Sequence, residues 1–333
     1  MARSRHLLHP ELLDLLKTKP TNDLSQAGLE QIRSASRKLV EAEKAFRQLY
    51  PVESDVSVSE QFTAGSEPDA HPVRMLVYTP PPAAGAGRLP CYLSIHGGGY
   101  VLGNPDQHDH QHRALSREQS CVVVAPAYRL APEHPYPAGL NDCLAALRWV
   151  LDHADALGID PARIVVGGES AGGGLAAAIA LAIREAGDIR LAGQVLVYPM
   201  LDDRTGATAD GGAFTGEYLW TRNSNRFAWR CYLGAEPGGD PVGHAAPARA
   251  GDLSALPPCH IFVGSLDLFR DESIAYANRL MEAGVPASLH VYAGACHAFD
   301  LAPLASLTRR FQAEFNEALA DLFGRPDERK NAP

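Results

Sequence analysis

The chain has 333 residues, with 30 Lys+Arg against 39 Asp+Glu, for a formal net charge of −9. At 46% apolar and 21% charged residues it carries enough material for a large core, which excludes disorder over most of its length. The acidic balance gives no support to nucleic-acid binding or to attraction by an anionic membrane surface.

In chain order, residues 11–17 and 24–50 read as helices. The longer one carries Leu29, Ile32, Ala35, Leu39, Ala42, Phe46 and Leu49 at spacings of three and four, a single apolar stripe closed by Pro51. From residue 73 the pattern changes. Short apolar runs at 73–79, 91–96, 121–125, 163–167, 193–198, 259–264 and 287–292 alternate with helical stretches at 107–118, 139–157, 172–186, 271–284 and 303–323. Strands alternating with helices imply βαβ crossovers, hence an α/β class with a mainly parallel sheet.

Two segments stand outside this alternation: 1–50, and 203–235 with Phe214, Tyr218, Trp220, Phe227 and Trp229. Additions to a parallel sheet tend to lie over the carboxyl ends of its strands, where open α/β sheets bind ligands, so both read as a helical cap. A helix pair behind the sheet is the competing placement for the first. The expected division is cap helices 1–50, core 51–202, second cap segment 203–235, core 236–325 and a tail, 326–333.

The longest helix-like apolar run, 175–183, stops at Arg184, far short of the ~20 residues that span a bilayer. Glu11 and Asp14 interrupt any signal-peptide core behind Arg3, Arg5 and His6. Six cysteines (91, 121, 143, 231, 259 and 296) have no CxxC spacing, which argues against zinc and against a disulfide framework. A cytoplasmic location is expected.

Three motifs carry chemistry. Gly168-Glu169-Ser170-Ala171-Gly172 follows the run 163–167 and opens the helix from 172. A strand-to-helix turn sharp enough to present a Ser Oγ needs glycine on both sides, because a Cβ there would clash with strand and helix. His96-Gly97-Gly98-Gly99 follows the run 91–96. Three glycines let backbone N–H groups turn toward a developing oxyanion, and no Lys-Ser/Thr follows to suggest a phosphate loop. His96 is expected to orient that loop and to transfer no proton. Lastly, Asp267 and His297 each lie just past a strand, at the edge where Ser170 sits. The order Ser170, Asp267, His297 supplies nucleophile, orienting carboxylate and base. Asp271 and Glu272 read instead as the acidic first turn of the next helix. His108 and His112 stand one helical turn apart but lack a third ligand, so they are read as a solvated helix face, with no metal.

His96–Gly99, Tyr128-Arg129-Leu130-Ala131-Pro132-Glu133, the stretch 168–173, Asp267 with Arg270-Asp271-Glu272, and His297-Ala298-Phe299 together resemble the hormone-sensitive-lipase-like esterases, bacterial family IV of the α/β-hydrolases. The likeness runs from about residue 73 to 323, and the N-terminal helices match the family's usual cap. It implies an eight-stranded, mostly parallel sheet flanked by helices, carboxylic-ester hydrolysis without a cofactor, and oxyanion donors at the N–H groups of Gly98, Gly99 and Ala171. Gly97 and Glu169 support the motifs. One departure is Leu268, where the family usually has Pro after the triad Asp, and a looser turn is expected there.

The expected activity is a serine carboxylesterase acting on small short-to-medium acyl esters, with Tyr100, Phe214, Tyr218 and Trp220 as pocket walls. An amidase or deacetylase, a lactonase, and a non-catalytic receptor of the same fold are the alternatives. No nucleic acid or membrane is expected as a partner, and a homodimer is compatible with these features.

Overall fold

The computed structural model describes residues 2–19, 21, 23–49, 55–63, 71–82, 87–206, 212–240 and 243–324; the tail 326–333 lies outside them. Eight strands form a single sheet: β1 (Ser57–Phe62), β2 (Arg74–Thr79), β3 (Leu89–Ile95), β4 (Val122–Pro126), β5 (Ile159–Glu169), β6 (Gly193–Val197), β7 (Cys259–Gly264) and β8 (Ala287–Tyr292). Their order is β1-β2-β4-β3-β5-β6-β7-β8. β1 and β2 are antiparallel to their neighbours and every other pairing is parallel.

The helices are α1 (Leu13–Thr18), α2 (Gln26–Leu49), α3 (Asp109–Glu118), α4 (Ala138–Asp152), α5 (Ala154–Leu157), α6 (Ala171–Ala186), α7 (Arg222–Leu233), α8 (Arg270–Glu282) and α9 (Ser306–Phe323). The central strands read as unbroken apolar runs because both faces are covered. Alternate residues serve opposite layers. Leu93, Val124, Ile164 and Val166 join α4, α6 and α8 in one buried cluster. Tyr92, Val123, Val165 and Val195 join α3 and α9 in the other.

The strand β1 went unread in the sequence. Its SVSEQF stretch lies at the sheet edge and is mostly exposed, so it carries almost no apolar signal. The helix expected over 139–157 breaks at His153 into α4 and α5. Leu12 packs in the α3 and α9 cluster and Leu29 of α2 in the other. His9 N–H donates to the carbonyl of Gly294 at 3.0 Å, which ties the first segment to the loop after β8. The N-terminal region therefore lies at the carboxyl edge of the strands and not behind the sheet. There it meets the 203–235 stretch. Thr21 Oγ1 accepts Leu219 N–H at 3.0 Å, Asp23 accepts from Asn223 at 2.7 Å, and Ser224 Oγ accepts Leu24 N–H at 2.9 Å. No helix among the described residues is long and apolar enough to cross a membrane.

Candidate active site

Ser170 sits between β5 and α6 with φ 55° and ψ −116°, a left-handed conformation that a non-glycine residue adopts only when its surroundings force it. What forces it is the backbone packing around the turn. Ser170 N–H donates to Val197 carbonyl at 2.8 Å, and its own carbonyl accepts from Gly174 and Met200. A Cβ on Gly168 or Gly172 would overlap the carbonyl oxygen of Ile95. The tightest obstacle is thus the neighbouring strand β3, beyond the turn's own strand and helix. Turn and glycine loop touch backbone to backbone.

That loop begins at His96. Gly98 has φ 115° and Gly99 φ 60°, positions open to glycine and strained for other residues. The N–H groups of Gly98, Gly99 and Ala171 make no hydrogen bond among the described residues. All three are left available at the end of the sheet where Ser170 stands. His96 is buried, stacks on Tyr128 at 4.2 Å, and shares a hydrogen bond of 2.8 Å between Nδ1 and the carbonyl of Gly97. Burial pulls its pKa down to about 4, so the neutral ring donates to that carbonyl. Tyr128 completes the brace by donating to the carbonyl of His96 at 3.0 Å.

Asp267 is fully buried, and its two oxygens have separate partners. Oδ2 lies 2.9 Å from His297 Nδ1, and Oδ1 accepts Phe269 N–H at 2.9 Å. The second bond closes an Asx turn without proline. Leu268 and Phe269 are both buried, so the turn is tight and the looser turn expected from the missing proline is corrected. His297 is further packed by Phe269 edge-on at 5.3 Å, Tyr198 at 4.7 Å and Trp220 at 6.1 Å. Glu272 opens α8, as read, but it is also buried. It accepts the N–H groups of Leu201 and Asp202 at 2.6 and 3.3 Å.

Ser170 and His297 line one cavity of about 860 Å³, together with Gly97, Gly98, Gly99 and Trp220. α2 contributes Ile32, Arg33, Ser36 and Arg37 to it. Arg33 is anchored by donating to the carbonyls of Val101 and Ala131 at 2.8 and 2.6 Å, and to Glu133 at 2.7 Å. Ser170 Oγ makes no hydrogen bond among the described residues. Contacts between nucleophile and base often close only with substrate bound.

Three expected walls are misplaced. Tyr100 is buried beneath the glycine loop, stacked on Tyr232 at 3.9 Å and donating to the carbonyl of Met200 at 3.0 Å. Phe214 is exposed and meets His6 edge-on at 5.9 Å. Tyr218 is buried in the α3 and α9 cluster. None borders the cavity, whereas Trp220 does.

The sequence reading missed a polar wall made by His108, Glu169, Tyr198 and Asp300. Burial raises the Glu169 and Asp300 carboxyls above their ordinary range, and Tyr198 donates to Asp300 at 2.7 Å. His112 corrects the solvated-face reading. It is buried, with Nε2 2.9 Å from Ser94 Oγ, while His108 looks into the cavity. No group of three or more His, Cys, Asp or Glu among the described residues could hold a metal.

The α/β-hydrolase-fold family model matches residues 92–301. Carboxylesterase NlhH of Mycobacterium tuberculosis is 38% identical over 289 residues, 85% of either chain. This chain belongs to the hormone-sensitive-lipase-like carboxylesterases of the α/β-hydrolase fold. Esterase LipI of M. tuberculosis is 35% identical over 291 residues, 87% of either chain. Among solved structures, a bacterial heroin esterase superposes with a TM-score of 0.86 at 38% identity, covering 96% of this chain and 98% of that one. Esterase LipW of Mycobacterium marinum gives 0.83 at 33% identity, with 98% and 99% covered. This esterase is a carboxylic ester hydrolase.

Proposed function

We propose that the esterase hydrolyses small carboxylic esters of short-to-medium acyl length through an acyl-enzyme on Ser170. The observation that carries this reading is the 2.9 Å hydrogen bond between His297 Nδ1 and the buried Asp267 carboxylate, on the wall of the cavity that holds Ser170. In that arrangement Asp267 keeps the proton on Nδ1, which leaves Nε2 free to accept one. Ser170 Oγ attacks the ester carbonyl as His297 takes its proton. The N–H groups of Gly98, Gly99 and Ala171 stabilise the oxyanion, and His297 then protonates the leaving alcohol. Water activated by the same imidazole releases the acid.

Residues 1–50 and 203–235 act as the cap in this reading, over a core of 51–202 and 236–325. A cavity of about 860 Å³ lies within the range of small-ligand sites and suits a single small ester. Six free thiols, five of them buried, suit a reducing compartment, and the cytoplasm is the proposed location. The test is Ser170→Ala, expected to lower kcat by ~10⁴-fold or more while the fold survives. An organophosphate should label Ser170 alone. Label on another residue, with normal turnover in the variant, overturns the assignment.

A further inference from the structure

The indole of Trp220 touches both halves of this chemistry. A Cβ on Gly99 would overlap its Cη2 and lie 2.8 Å from its Cζ2, so the benzo edge rests on the glycine whose N–H is left unbonded. The same ring stands 6.1 Å from the His297 imidazole, with planes 36° apart. Its position is fixed from behind. The indole N–H donates to Asn225 Oδ1 at 3.1 Å, and Asn225 Nδ2 donates to the Thr205 carbonyl at 2.7 Å. Asn225 is fully buried with both amide ends engaged, so a flipped amide would set NH2 against the indole N–H. Leu219, at φ 57°, and the 2.7 Å bond from Trp220 N–H to the Tyr218 carbonyl form the turn that sends the ring inward.

In the tetrahedral intermediate on Ser170, the former carbonyl oxygen faces the loop N–H groups and the leaving oxygen faces His297. A ring that borders both Gly99 and His297 therefore flanks the leaving alcohol, and the acyl chain departs on the other side. We propose that Trp220 is the specificity-determining wall for the alcohol, with Asn225 as its positioning residue, and that the wall selects esters of flat aromatic alcohols over saturated alcohols of equal size. The proposal rests on the triad reading above. Offset-stacked or edge-to-face aromatic pairs favour the planar partner by about two- to twelvefold beyond area alone.

Benzyl and cyclohexylmethyl butyrate share an acyl group, release alcohols of similar basicity and differ mainly in planarity, so the ratio of their kcat/KM values reads the wall. We expect about fivefold in favour of benzyl in the wild type. Trp220→Leu should bring the ratio close to one, and Asn225→Leu should lower it as well. In the double variant the ratio should fall no further than in Trp220→Leu, because Asn225 acts through the indole. Trp220→Phe keeps a flat ring without the N–H and should retain part of the preference; with the wild-type ratio it decides the matter if the leucine variants do not fold. A wild-type ratio near one, with hydrolysis of both esters abolished by Ser170→Ala, overturns the proposal and leaves the triad reading intact. So does a preference that survives Trp220→Leu while acyl-length preference shifts. Full hydrolysis by Ser170→Ala would instead sink the triad reading.

Discussion

Asp267→Asn tests the orienting carboxylate sharply, because the structure dictates which way the new amide must point. The two oxygens of Asp267 serve different donors, Phe269 N–H and His297 Nδ1, each at 2.9 Å. Asparagine has only one oxygen to offer. If it faces Phe269, the NH2 group faces Nδ1, which must become an acceptor; the ring proton then moves to Nε2, the atom needed to receive the proton of Ser170. If it faces His297, the NH2 group meets the Phe269 N–H and leaves a buried donor unpaired, at about 1–3 kcal/mol. The first orientation is favoured, so the inactive tautomer predominates. We expect kcat to fall by ~10⁴-fold, about 5 kcal/mol at 1.36 kcal/mol per decade, with the melting temperature moving by only a few degrees. Initial rates on p-nitrophenyl butyrate and a thermal melt of the same sample provide both readouts. A folded variant within tenfold of wild type would refute the argument.

Three further outcomes follow from the geometry. Gly172→Ala drives a methyl into the Ile95 carbonyl and should cost about 3 kcal/mol in urea denaturation together with nearly all activity; a fully stable variant is the contrary result. Burial holds His96 at about 4 against 6.5 in the unfolded chain, so its contribution to stability is complete above 6.5 and is lost as pH falls toward 4. The stability gap between wild type and His96→Asn should therefore shrink by about 3 kcal/mol from pH 7 to pH 4, and a constant gap would show that the ring is not held neutral. Across p-nitrophenyl esters, kcat/KM should climb by up to ~0.8 kcal/mol per methylene, peak at short-to-medium length and then collapse. Equal efficiency on an emulsified long-chain triglyceride would contradict a site limited to this cavity.

Some parts of the molecule were legible in the sequence for a physical reason. Strands covered on both faces announce themselves as apolar runs, and the residues that follow them land at one edge of the sheet. Ser170, Asp267 and His297 could be placed at one edge that way, because Ser170 directly follows β5 and the other two lie in the loops after β7 and β8. β5 was read short, since Asp160, Pro161 and Arg163 mask its first half, although Ile159 already pairs with Leu89 of β3. The pocket walls were misread because an aromatic beside a motif gives no sign of where it points. Tyr100 follows the glycines with φ 63°, which turns it under the loop, and a left-handed Leu219 sends Trp220 inward while Tyr218 goes to the core. His108, Glu169 and Asp300 come from three distant stretches of chain and meet only through the fold.

The fastening of Thr21, Asp23 and Leu24 to residues 219–224 has a thermal consequence. It consists mainly of polar side-chain bonds near the surface, which water replaces at little net cost. The union of the elbow with the glycine loop is main chain pressed on main chain, with no room for water to enter. Warming should therefore loosen this fastening before it disturbs the packing of the elbow on the glycine loop. Below its inactivation temperature the enzyme would grow promiscuous before it grows slow, losing its choice among alcohols while still turning over the smallest esters.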